Sequence, residues 1–99
     1  MENASLKAQI VSKLNLAKGW GKCLNKIQDV AEKVLTPQQW NTFLIRSNHD
    51  AEECEGSDFL MINGHFWDWR EFDYKGGEIV FAFLDYFTEP QLKRILKSL

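Results

Sequence analysis

What this chain lacks narrows its class. Its longest unbroken apolar run, Ile79 to Leu84, falls far short of the roughly 20 residues that a membrane-spanning helix needs. Met1-Glu2-Asn3-Ala4-Ser5 has neither a basic n-region nor an apolar h-region, so no secretory signal is expected. Only two cysteines occur, Cys23 on a predicted helix face and Cys54 in an acidic stretch; this argues against a disulfide framework and for free thiols in the cytoplasm.

Chemistry-bearing motifs are equally scarce. The two histidines, His49 and His65, sit in no His-x-x-x-His, Cys-x-x-Cys or Gly-x-Ser-x-Gly context. His49, Asp50, Glu53 and Cys54 are close in sequence, yet their spacing matches no standard structural metal site, and an exposed polar loop is the simpler expectation. Asp68, Glu71, Asp73 and Asp85 have no nucleophile or phosphate-binding glycine loop beside them. The expectation is therefore a protein that is not an enzyme and holds no metal or cofactor.

Among the features present, the hairpin signal is the strongest. Asn63-Gly64 suits the two positive-φ positions of a type I′ turn, which predicts antiparallel pairs Ile62 with His65, Met61 with Phe66 and Leu60 with Trp67. Lys75-Gly76-Gly77-Glu78 reads as a second turn, leading into the aromatic and β-branched run Ile79 to Phe87 as a third strand, with a buried helix as the less favoured reading. In that register Tyr74 faces Ile79, Phe72 faces Phe81, Trp69 faces Leu84, and Asp68 opposes Asp85, an unfavourable like-charge pair. Phe59, Met61, Phe66, Phe72, Tyr74, Ile79, Phe81, Phe83 and Phe87 would form the core face. Trp67, Trp69, Glu71, Asp73 and Tyr86 would share the other face with Leu60, Ile62 and His65.

Helical patterns flank this region. Leu6, Ile10 and Leu14 predict a first helix over 4–18, ended by Gly19. Apolar residues from Trp20 to Leu35 recur at three and four, opposite Lys22, Lys26, Asp29 and Lys33, the clearest amphipathic helix in the chain. Thr36-Pro37-Gln38-Gln39 and Thr88-Glu89-Pro90-Gln91 both carry the Thr-x-x-Gln capping pattern, opening a third helix and a terminal one. Ser47 to Ser57 reads as a loop. The predicted whole is one α+β domain over 1–99: three N-terminal helices, a three-stranded antiparallel meander at about 58–62, 65–74 and 78–87, and a C-terminal helix packed on one sheet face.

Charge is unevenly distributed. Residues 1–49 carry seven Lys/Arg against three Asp/Glu, residues 50–89 carry two against eleven, and residues 90–99 carry three against none. Such asymmetry bears on partners and association rates. Trp67, Trp69, Glu71, Asp73 and Tyr86, with Asp50, Glu52, Glu53, Glu55 and Asp58 in the adjoining stretch, would make an acidic aromatic docking surface for a basic protein. This predicts an inhibitor or immunity-type protein of the kind a phage or mobile element encodes, blocking the basic surface of a nuclease or other nucleic-acid-binding protein. The alternative is a nucleic-acid or anionic-surface binding module that uses Lys18, Lys22, Lys26 and Lys33. A homodimer through the open edge of the third strand is a further expectation.

Overall fold

Local chemistry sets the element boundaries. In the computed structural model, which describes residues 2–54, 59–68, 70–71 and 74–99, the elements run α1 (Glu2–Lys13), α2 (Trp20–Val34), α3 (Pro37–Glu53), β1 (Phe59–Ile62), β2 (His65–Asp68), α4 (Gly76–Phe83) and α5 (Glu89–Lys97). Two 3₁₀ turns, Leu16–Lys18 and Leu84–Tyr86, complete the described set. The Gln39 N–H donates to Thr36 Oγ1 at 3.2 Å while the Thr36 N–H donates to Gln39 Oε1 at 3.0 Å, a closed capping box that starts α3. The Thr88 N–H donates to Gln91 Oε1 at 3.0 Å at the start of α5.

The hairpin lies where Asn63-Gly64 predicts it. Both turn residues have positive φ, 52° and 79°, and the pairs are Leu60 with Trp67, Met61 with Phe66 and Ile62 with His65. Its two faces, however, are the reverse of the expected ones. Ile62 and Trp67 are buried, whereas Phe66 is 51% exposed. The hairpin turns its Leu60, Ile62, Trp67 face to the helices, so Trp67 is a core aromatic.

The predicted meander is not formed. Gly76–Phe83 is helical, continued by the 3₁₀ turn Leu84–Tyr86, and the sheet of the described residues has two strands. The Ile79 N–H donates to the Lys75 carbonyl at 3.0 Å, so Gly76-Gly77 is the first turn of a helix and no hairpin loop. Ile79, Val80, Phe83 and Leu84 are buried together, while Glu78 and Asp85, seven residues apart, face out. That is a helical period hidden inside an apolar run. The unfavourable Asp68–Asp85 pairing disappears with the strand: Asp85 instead receives the Lys7 ammonium from α1. The strand edge proposed for a homodimer disappears too.

Two other boundaries shift. α1 ends at Lys13, and Asn15 caps the following 3₁₀ turn by accepting the Ala17 N–H at 3.1 Å. The stretch predicted as a loop from Ser47 is helical as far as Glu53, because Phe43, Ser47, Asp50 and Cys54 recur at four, three and four and turn inward.

One core results. Ile10, Ile27, Ile79, Val80, Leu84, Leu92 and Ile95 are essentially fully buried, each side chain contributing roughly 1.5–3 kcal/mol. α4 lies between α1, α2 and β1, and α5 packs across α1 and α2. Phe43 joins α3 to this core: it stacks on Phe87 at 4.9 Å and meets Phe83 and Tyr86 edge-on at 5.7 and 5.6 Å. Both cysteines are buried free thiols. Among the described residues no helix is long and apolar enough to cross a membrane.

The helical reading of residues 76–83 has a signed consequence. An added Cβ at Gly77 meets only Leu16 Cδ1, at an ordinary 3.5 Å. Gly77→Ala is expected to stabilise the protein by about 0.5 kcal/mol in urea denaturation, since alanine costs less backbone entropy in a helix. In a two-residue hairpin loop with positive φ the same change would destabilise it.

Candidate functional site

Among the described residues, those expected to form an acidic aromatic surface do not all face solvent. Tyr86 is buried in its 3₁₀ turn, and its hydroxyl donates to Asp50 Oδ2 on α3. The Asn63 N–H at the hairpin turn approaches the same carboxylate oxygen at 2.9 Å and the Tyr86 oxygen at 2.8 Å. Arg46 closes the cluster, donating to the Tyr86 carbonyl at 3.3 Å and to Asn63 Oδ1 at 2.9 Å. Asp50 and Tyr86 therefore tie α3 to the hairpin tip and the 3₁₀ turn, and are turned away from solvent. Burial pushes the Tyr86 phenol well above its ordinary range, and the neighbouring Asp50 carboxylate reinforces this.

Trp67 is also enclosed, with the His65 ring edge-on at 4.6 Å and its indole N–H without an acceptor among the described residues. Glu71 accepts the Asp68 N–H at 3.0 Å and pairs with Lys75 at 3.2 Å; these contacts, in that order, hold its carboxyl below the usual range. The Arg70 guanidinium, 3.1 Å from Asp68, lowers that carboxyl likewise. Glu52 and Glu53 are exposed on the last turn of α3, where Glu53 lies 3.6 Å from His49. Trp69, Asp73, Glu55 and Asp58 lie outside the described residues. His49 and Glu53 face away from Asp50 and Cys54, and no three metal-ligating side chains converge among the described residues.

A different constellation does converge. Where α1 turns back into α2, a pocket of about 280 Å³ opens between the end of α1, the 3₁₀ turn and the first half of α2. Leu14, Cys23 and Leu99 supply its apolar lining, and Lys13, Lys18, Lys22 and Lys26 surround it. The corner is built by backbone chemistry. Asn15 caps the 3₁₀ turn, its carbonyl lies 3.7 Å from the Cys23 thiol, and Gly19 at φ 105° reverses the chain into α2. Lys22 and Lys26 then fall one helical turn apart.

None of these four ammonium groups has an ion pair or side-chain hydrogen bond among the described residues. Several cations elsewhere are matched: Lys7 with Asp85, Lys75 with Glu71, Lys93 with Glu89 and Arg70 with Asp68. Lys33 and Lys97, like the corner lysines, have no ion pair among the described residues; what sets the corner apart is that four such lysines line one pocket. No acidic side chain lines the pocket, and burial pushes the Cys23 thiol pKa up. The arrangement offers charge and hydrogen-bond donors without a nucleophile or base, so it is suited to holding an anion. Of the sequence-predicted lysines, Lys18, Lys22 and Lys26 are here, while Lys33 lies further along α2 and does not line the pocket. Lys13 was missed. The signal that could have found it is Asn15 as a cap, which ends α1 early and folds Lys13 onto α2.

No protein-family model, curated protein or solved structure matches this chain.

The buried Tyr86–Asp50 contact predicts a pH signature. Tyr86→Phe strips the buried carboxylate of a donor and should cost about 1–3 kcal/mol in urea denaturation at neutral pH. The folded phenol holds its proton more tightly than the unfolded one, so this advantage is complete below about pH 10 and is lost as pH rises further. The stability gap between wild type and variant should therefore narrow above about pH 10; a constant gap would contradict the buried contact.

Proposed function

We propose that this chain is a non-catalytic, cytoplasmic binding module for a phosphate-bearing anion, seated in the lysine-rimmed corner between α1 and α2. The observation that carries the reading is the concentration of four lysines, without an ion pair among the described residues, around one concave pocket that no acidic side chain lines. Like charges brought together without counter-ions repel one another, and an anion bound among them relieves that repulsion. Placement in the cytoplasm rests on the two free thiols.

The other reading, an acidic surface that inhibits a basic partner, retains Glu52 and Glu53 as exposed carboxylates. Its aromatic anchors Trp67 and Tyr86 lie in the core, and Asp50, Asp68 and Glu71 already have partners within the chain. Aromatic anchors carry most of the energy of such interfaces, so the geometry favours the lysine corner.

Charge placement can be separated from net charge. At net charge -2 the whole molecule should be repelled by a phosphate-bearing resin at neutral pH. Wild type is nevertheless expected to be retained on phosphocellulose at low salt, and Lys22→Glu/Lys26→Glu to pass through. Lys33→Glu/Lys97→Glu, with the same change in net charge at two lysines that do not line the pocket, should stay bound. Flow-through of wild type, or equal loss in both variants, would count against the reading.

A further inference from the structure

We propose that the lysine corner takes a compact ligand bearing two or more adjacent phosphate groups, of the oligophosphate class, in preference to nucleic acid; this rests on the anion-binding reading above. Shape is the first argument. The lysines come from three successive elements that fold around one pocket, Lys13 from α1, Lys18 from the 3₁₀ turn, Lys22 and Lys26 from α2. They line one pocket, whereas duplex binding calls for cations strung along a surface that follows a phosphate backbone. At about 280 Å³ the pocket is near the lower end of small-ligand sites, which span roughly 300–1,000 Å³.

The lining chemistry points the same way. It contains no aromatic ring on which a base could stack. It contains no arginine, the residue best suited to reading a guanine edge. Asn15 is its one side-chain amide, and the amide oxygen is already taken by the Ala17 N–H. Lysine ammonium groups act as point charges with three donors each, a good match to clustered phosphate oxygens and a poor match to flat bases. Four such groups around one cavity call for a ligand whose negative charge is multiple and concentrated.

The test uses the full chain and three probes: inorganic phosphate, inorganic tripolyphosphate and a short DNA duplex. Each is titrated by calorimetry, with thermal unfolding followed in parallel, for wild type, Lys22→Gln/Lys26→Gln and Lys33→Gln. All three lysines are exposed, so the variants should keep the wild-type circular dichroism spectrum. Tripolyphosphate is expected to bind at least about tenfold more tightly than phosphate, a difference of about 1.4 kcal/mol, and to raise the unfolding midpoint by mass action. The double variant should lose both effects and Lys33→Gln neither. Tighter binding of the duplex than of tripolyphosphate at equal phosphate concentration would overturn this inference while leaving the anion-binding reading standing. Tripolyphosphate binding that survives in the double variant would overturn the inference and the pocket assignment, and binding of no probe would overturn both readings.

Discussion

Enclosing α4 is the constraint on which the rest of the structure depends. Ile79, Val80 and Phe83 are buried on one side of this short helix, Leu84 is buried just beyond its end, and Phe81 and Ala82 on the other side are half-buried. A helix apolar nearly all round must be covered nearly all round. α1, α2 and β1 supply that cover, and Lys7 finishes it by lying 4.5 Å over the Phe81 ring while its ammonium reaches Asp85. For α1 and α2 both to reach α4, the chain must double back between Lys13 and Trp20. That reversal, made by the Asn15 cap and Gly19, is the corner where the lysines gather. The candidate site is thus a consequence of how the core closes.

The charge asymmetry of the chain acquires a different meaning once folded. Its acidic middle contains partners for part of its own charge: Asp68 with Arg70, Glu71 with Lys75, and Asp50 within a hydrogen-bonded cluster. Exposed pairs of this sort contribute little to stability, about 0–1 kcal/mol each. They do, however, engage carboxylates that would otherwise face solvent alone. The basic N-terminal half undergoes no matching neutralisation at its corner, so a chain that is net acidic presents a concentrated positive site.

Much of the architecture was legible wherever a single residue type has one physical use. Asn63-Gly64 set the hairpin register, and the two Thr-x-x-Gln boxes set the starts of α3 and α5. α2 followed from its strong two-sided pattern. Illegibility began where two explanations shared the same residues. Gly76-Gly77 serves a turn or a helix start, and Ile79 to Leu84 is apolar at every position, so only the outward Glu78 and Asp85 betrayed the helical period. A carboxylate usually faces solvent, so nothing local marks Asp50 as buried; its burial depends on Tyr86 and the Asn63 N–H, contacts remote in sequence. Trp67 followed the same logic in reverse: which hairpin face is covered depends on where the helices pack, and strand alternation alone does not say. The lysine site was legible in part, since helical spacing aligned Lys22 and Lys26, but Lys13 reaches it only through the fold.

An anion site at the corner of α1 and α2 has a local spectroscopic signature. Backbone amide shifts followed by heteronuclear NMR during a titration of the full chain with pyrophosphate test it most directly. Saturable shifts are expected at residues 13–26 and at Leu99, with the hairpin and the exposed end of α3 unmoved. Shifts centred on Glu52, Glu53 and the hairpin, or small changes scattered over every exposed lysine, would contradict it.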